Sequence, residues 1–122
     1  MQRHERGRAA EDLALAYLGL RGFRLLARGF RAGKAEVDLV MQDGPCVVMV
    51  EVKYRGPGAQ ARGPESIAAA QRARLERAAV VWLMRHGMSD LRFDVVTVDE
   101  GPGGLRLQHV RGAFEGSSRG RI

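Results

Sequence analysis

Ala35-Glu36-Val37-Asp38-Leu39-Val40-Met41 and Val47-Val48-Met49-Val50-Glu51-Val52-Lys53-Tyr54 are two apolar, β-branched runs that read as strands. Asp43-Gly44-Pro45 between them is turn chemistry, so the runs are expected to pair as an antiparallel hairpin. A register that sets Met41 opposite Val48 also sets Asp38 opposite Glu51. Two carboxylates facing each other across a ladder lie roughly 5 Å apart at Cβ and repel, so stability alone gives no reason to place them there. A divalent cation would relieve the repulsion. Lys53 shares the face of Glu51 by the two-residue strand period, which completes a group of two acids and one amine. Glu36 falls on the face of Asp38 and adds a further acid that no core would bury without compensation.

Upstream of the hairpin, Arg8 to Leu20 carries Ala10, Leu13, Ala14 and Tyr17 at helical spacing, and Gly19 and Gly22 bracket its end. Glu11 sits at the border of that stripe, where a solvated first-turn acid is the simpler reading. Phe23 to Phe30 reads as a strand whose Arg24 and Arg28, with Arg31 just beyond, fit a solvated or edge-protecting face better than a binding one. Downstream, residues 54–64 form a glycine- and proline-rich loop in which Arg55 and Arg62 could embrace a ligand. A helix then opens at Glu65 or Ser66 and runs to about His86, with Gly87 as its stop. Its inward face reads Ile67, Gln71, Leu75, Ala78 and Trp82. Gln71 is the polar member of that face, and a buried amide satisfied by backbone competes evenly with a role beside the acids. Val80 and Met84 point elsewhere and need cover from the C-terminus or from a second copy, which leaves a homodimer open. Leu91 to Val98 and Leu105 to Val110 read as two further strands around the turn at residues 99–104. Asp94 inside the first of these is best read as a hydrogen-bonded structural acid.

The 122 residues, 45% of them hydrophobic, are enough for one domain, expected over residues 1–112 with a flexible tail at 113–122. No run of eighteen apolar residues is present, so no helix is expected to span a membrane, and Glu11 and Asp12 argue against a secretory leader; a cytoplasmic location follows. Cys46 stands alone and fits a small hydrophobe in a reducing compartment. His4, His86 and His109 lack ligand spacing, which argues against zinc. The net charge of +6 points to a polyanion partner, nucleic acid first. That inference is weakened by the fact that eighteen of the twenty basic residues are Arg, a usage that GC-rich coding also produces. The same bias makes Lys53 conspicuous, because an amine can take a compact position or a shifted pKa that a guanidinium cannot.

The order helix, three strands, helix, two strands, with Asp38 and Glu51-Val52-Lys53 on neighbouring strands, resembles the restriction-endonuclease-like superfamily, whose signature is an aspartate, a spacer, then acid-any-lysine. A wider pattern adds to it: Gly7, Ala10-Glu11, Tyr17-Leu18, Gly22, Glu36-Val37-Asp38, Val50-Glu51-Val52-Lys53, Arg55, Arg74-Leu75, Ala78-Ala79, Leu83 and Arg92-Phe93-Asp94-Val95-Val96. Together these are similar to the bacterial YraN-like family of predicted nucleases, related to Holliday-junction resolvases, over roughly residues 6 to 110. Ala35 stands where that family usually has glycine, and Gln71 where it usually has lysine. The resemblance implies an α/β, three-layer restriction-endonuclease-like fold with a mixed central sheet flanked by helices. It further implies that Asp38, Glu51 and the Val52 carbonyl hold Mg²⁺ or Mn²⁺, with Glu11 as an additional acid and Glu36 and Gln71 in support. Lys53 would act in phosphodiester hydrolysis of DNA, branched or structured DNA included, and a non-cleaving nucleic-acid-binding module on the same fold is the competing expectation.

Overall fold

The computed structural model describes residues 3–57 and 68–114, the side chains of residues 3–6 excepted. Helix α1 (Arg3–Leu20) leads into β1 (Arg24–Ala32), β2 (Ala35–Asp43) and β3 (Cys46–Arg55), followed by α2 (Ala69–His86), β4 (Asp90–Gly101) and β5 (Gly104–Phe114). The five strands lie side by side in chain order. Neighbours pair antiparallel except β3 and β4, which run parallel, so α2 belongs to the crossover between them and the sheet is mixed.

Alternation along the central strands divides the core in two. Ala10, Ala14 and Leu18 of α1 pack with Leu39, Met41, Val48, Val50, Val96 and Val98 on one face. Leu75, Ala78, Ala79 and Trp82 of α2 pack with Val37, Val40, Val47, Met49 and Phe93 on the other. The result is a three-layer helix–sheet–helix domain, compatible with the restriction-endonuclease-like arrangement that the sequence pattern implied. Among the described residues no helix is long and apolar enough to cross a membrane.

The hairpin takes the expected register, Met41 opposite Val48 and Asp43 opposite Cys46, across a two-residue turn whose Gly44 has φ 59. Strands exceed their apolar runs because polar residues continue the ladders: β4 extends through Asp99 and Glu100, whose partners are Arg106 and Leu105. The C-terminal correction is of the same kind. Residues 113 and 114, assigned to the tail, close β5 instead, since the Gly112 N–H donates to Asp94 at 3.0 Å and Phe114 stacks on Phe93 at 4.5 Å. Residues 115–122 lie outside the described residues. In α1 the buried stripe is Ala10, Ala14 and Leu18, while Leu13 remains 41% exposed at its edge.

Asp94 is the structural acid that its place in a strand indicated. Its carboxylate, on a residue 1% exposed, accepts from Arg92 at 2.8 and 3.0 Å, pairs with His109 at 2.8 Å and takes the Gly112 N–H. Burial alone would raise its pKa, but hydrogen bonds from His109, Arg92 and Gly112 outweigh that and hold it below the usual carboxylate value. Asp94→Asn keeps the shape and removes the charge that these donors share. Urea denaturation is expected to show a loss of about 2 kcal/mol, and a change within about 0.5 kcal/mol would mean the network contributes little.

Candidate functional site

Asp38 sits where β1 and β2 change the way they face. Strict alternation would put Val37 and Leu39 on one side of the sheet, yet Val37 joins the α2 core and Leu39 the α1 core. The β1–β2 ladder skips this point, pairing Arg28 with Leu39 and Phe30 with Val37 but not Gly29 with Asp38. Gly29 absorbs the irregularity with φ 61, a conformation that β-carbon sterics disfavour, and an added Cβ would also meet the Glu36 carboxylate at 3.1 Å. The ladder with β3 likewise stops at Leu39 and Val50. Beyond it the Val52 N–H donates to Asp38 Oδ2 at 2.8 Å, so a side chain replaces the strand as hydrogen-bond partner.

On β3 the two-residue period delivers Glu51 and Lys53 to the α2 side of the sheet. Gln71, three residues into α2, spans them: its Nε2 donates to Glu51 Oε2 at 2.6 Å and its Oε1 accepts from Lys53 Nζ at 3.0 Å. Lys53 Nζ also stands 3.5 Å from Glu51 Oε2. Of the two readings of Gln71, the backbone-satisfied amide is therefore the one not realised. A glutamine suits the position because one amide offers a donor to the carboxylate and an acceptor to the ammonium.

Both acids resist ionisation. Burial, then repulsion from Glu51, pushes the Asp38 carboxyl up to about 7, against the opposing Val52 N–H. Burial likewise raises Glu51, which is 7% exposed, although Lys53 and Gln71 work the other way. Glu11 adds repulsion at both carboxyls, and Glu36 at Asp38. Asp38, Glu51, Glu11 and Glu36 therefore act on one another electrostatically.

Glu11 is ion-paired to Arg28 at 3.5 Å, and Arg28 also reaches Asp12 at 3.0 Å. Glu36 is exposed and pairs with Arg31 at 3.5 Å. Arg55 is committed to Asp99, with contacts of 2.5 and 2.9 Å and a side chain only 9% exposed. Arg62 lies outside the described residues. Among the described residues no three His, Cys, Asp or Glu side chains converge into a ready metal cage. The donor set nevertheless fits a hard cation that keeps most of its waters, since Mg²⁺ ordinarily takes one or two carboxylates and completes its octahedron with water and phosphate oxygens. The repulsion between Asp38 and Glu51 is the feature such a cation would remove. Arg28 is the partner that the sequence reading passed over, and Gly29 inside a strand was the available signal that the ladder breaks beside it.

Residues 10–98 match the sequence profile described as Uncharacterised protein family UPF0102. A UPF0102 protein of Anaeromyxobacter dehalogenans strain 2CP-C is 44% identical over 115 residues, spanning 93% of this chain and 86% of the relative. One of Halorhodospira halophila strain DSM 244 / SL1 is 43% identical over 115 residues, 93% of this chain and 90% of the relative. Another, of Bordetella avium strain 197N, is 43% identical over 115 residues, 93% of this chain and 77% of the relative. The chain belongs to the UPF0102 family.

Proposed function

We propose that this UPF0102 protein is a metal-dependent nuclease of the restriction-endonuclease-like type, hydrolysing phosphodiester bonds in DNA. The observation that carries the reading is the meeting of Asp38 and Glu51 beside Lys53, with both carboxyls raised by burial and that of Asp38 raised further by repulsion from Glu51. A protein that only binds a polyanion gains nothing from clustered acids, which repel phosphate. In this reading Asp38, Glu51 and the Val52 carbonyl hold Mg²⁺ or Mn²⁺, and Glu11 joins them by leaving Arg28. The bound cation supplies Lewis-acid activation of water and neutralises charge on the scissile phosphate.

The chain's own groups do the positioning. The Val52 N–H holds one oxygen of Asp38, so the other is the one that would serve a cation. Gln71 holds Glu51 and Lys53 at a set separation. Lys53 then presents its ammonium to the non-bridging phosphate oxygens, where negative charge grows in the transition state, and orients the attacking water. Arg28 keeps its pairing with Asp12, at 3.0 Å, when Glu11 leaves.

A panel of duplex, single-stranded and four-way DNA tests the proposal. Binding in EDTA is expected to weaken steeply with salt as counterions are released, and Mg²⁺ or Mn²⁺ is expected to start cleavage of at least one member. Binding that ignores salt, or the absence of cleavage across the panel in either metal, would contradict the proposal.

A further inference from the structure

Two buried oxygens find no hydrogen-bond partner among the described residues, Thr97 Oγ1 and Gln108 Oε1. They are neighbours. Thr97 of β4 pairs with Gln108 of β5 on one side and with Lys53 of β3 on the other, and partners in a ladder project from the same face. Val96 and Val98 turn into the α1 core, so Thr97 between them turns to the α2 side, where Glu51, Lys53 and Gln71 meet. Lys53, Thr97 and Gln108 therefore form one row across three strands, each step about 5 Å. Thr97 is 0% exposed, so solvent does not satisfy its hydroxyl. Valine fills the same shape without orphaning a polar atom, and stability gives no reason to prefer threonine.

The donors and acceptors of the row fit in one order. An ammonium only donates, a hydroxyl both accepts and donates, and an amide oxygen only accepts. A Lys53 N–H given to Thr97 Oγ1, with the Thr97 O–H given to Gln108 Oε1, satisfies both orphans at once. As the structure stands Lys53 Nζ is elsewhere, 3.0 Å from Gln71 Oε1 and 3.5 Å from Glu51 Oε2. We infer that Thr97, backed by Gln108, is a second seat for the Lys53 ammonium, taken when the Glu51 carboxylate is engaged by Mg²⁺ or Mn²⁺, which makes Thr97 a positioning residue for Lys53. The inference rests on the nuclease reading, in which Glu51 gives an oxygen to the cation. An oxygen so engaged attracts the ammonium less, and two positive charges at that range repel. The neighbouring strand offers the replacement acceptor. With Gln71 and Thr97 each taking one N–H, the third remains for a phosphate oxygen or the attacking water.

Lys34 and Lys53 are the chain's two lysines, so protein carrying isotope-labelled lysine gives two ammonium signals by NMR, and a Lys34→Arg background leaves that of Lys53 alone. Exchange of its ammonium hydrogens with water reads the seat without any cleavage. With Mg²⁺ and no nucleic acid, exchange in Thr97→Val is expected to be roughly tenfold faster than with threonine in place, the effect of losing one ordinary hydrogen bond. Thr97→Ser, which returns the hydroxyl, should restore the slow rate. The same pair should appear in single-turnover cleavage, with Thr97→Val about tenfold slower at unchanged DNA affinity in EDTA and Thr97→Ser recovering the rate. Metal-free Thr97→Val should melt no lower than wild type, whereas loss of a hydroxyl with a structural partner would lower the melting temperature. The inference is overturned if Thr97→Val exchanges as wild type does in Mg²⁺, or cleaves at the wild-type rate. Should Thr97→Val fail to fold, Gln108→Leu decides alone, since it removes the acceptor that ends the row and should move exchange and rate in the same directions. If wild type cleaves no DNA, the nuclease reading fails, and the exchange comparison still decides whether the ammonium takes the seat.

Discussion

Asp38→Asn is expected to make the metal-free protein more stable than wild type at pH 8 while abolishing cleavage. The native structure pushes the Asp38 carboxyl up to about 7 from its ordinary value of 3.8, so the folded state holds a proton that the unfolded chain has released. A native state that binds more protons than the unfolded one loses stability as pH rises. The window runs from about pH 4, where the unfolded carboxyl ionises, to about pH 7, where the folded carboxyl ionises against burial and Glu51. Above that window the full penalty applies, on the order of 4 kcal/mol. Asparagine has no charge to lose and can still accept the Val52 N–H, so the variant should lack this slope. Melting temperatures in EDTA should therefore coincide near pH 4 and separate in favour of the variant by pH 8. Cleavage in Mg²⁺ should drop by ~10³-fold or more, because a neutral amide is a poor ligand for a hard cation. A variant less stable than wild type at pH 8 would mean that Asp38 is a satisfied structural acid.

Lys53→Arg is expected to lower the rate of cleavage by roughly 10²-fold while DNA affinity stays within about twofold of wild type. The swap preserves charge, so loss of binding is not the route. Lys53 Nζ occupies a narrow place, 3.0 Å from Gln71 Oε1 and 3.5 Å from Glu51 Oε2. A planar guanidinium there would pair bidentately with Glu51 and block the oxygen that the cation needs. Single-turnover rates beside anisotropy in EDTA separate the two effects. Eighteen arginines elsewhere show how readily this chain accommodates that residue, so an unchanged rate would reduce Lys53 to one more surface charge.

The hairpin and its register were legible because two apolar, β-branched runs and the Asp43-Gly44-Pro45 turn agree on one pairing, and a slip by one residue would carry Val48 and Val50 from the α1 core to the α2 core. Helical spacing made the inward face of the second helix legible from Gln71, the polar intruder, through Leu75, Ala78 and Trp82, whereas the helix opens at Ala69, and Glu65, Ser66 and Ile67 lie outside the described residues. Less was readable where polar residues do the structural work. Tyr54, Arg55, Asp99 and Glu100 bond across strands, so β3 and β4 continue past the point where hydrophobicity stops marking them. The change of face at Asp38 was hidden because alternation assumes a regular strand, and only Gly29 hints otherwise. Arg28 was read as a solvated strand arginine, and nothing local to β1 could reveal that α1 brings Glu11 and Asp12 to it. Counting along two strands set Asp38 opposite Glu51, but the ladder ends at Leu39 and Val50 and the Asp38 carboxylate takes the Val52 N–H instead; the engagement of Arg55 by Asp99 required knowing that β4 lies parallel to β3 in that register.

The measurement closest to the central claim is calorimetric titration of wild type and Asp38→Asn with Mn²⁺ at pH 8, without nucleic acid. One site is expected in wild type, with affinity falling as pH drops below about 7 because protons compete for the same carboxyl, and no site in the variant. Equal binding by the two proteins, or no heat of binding in wild type up to millimolar metal, would contradict the assignment of Asp38 and Glu51 to a cation.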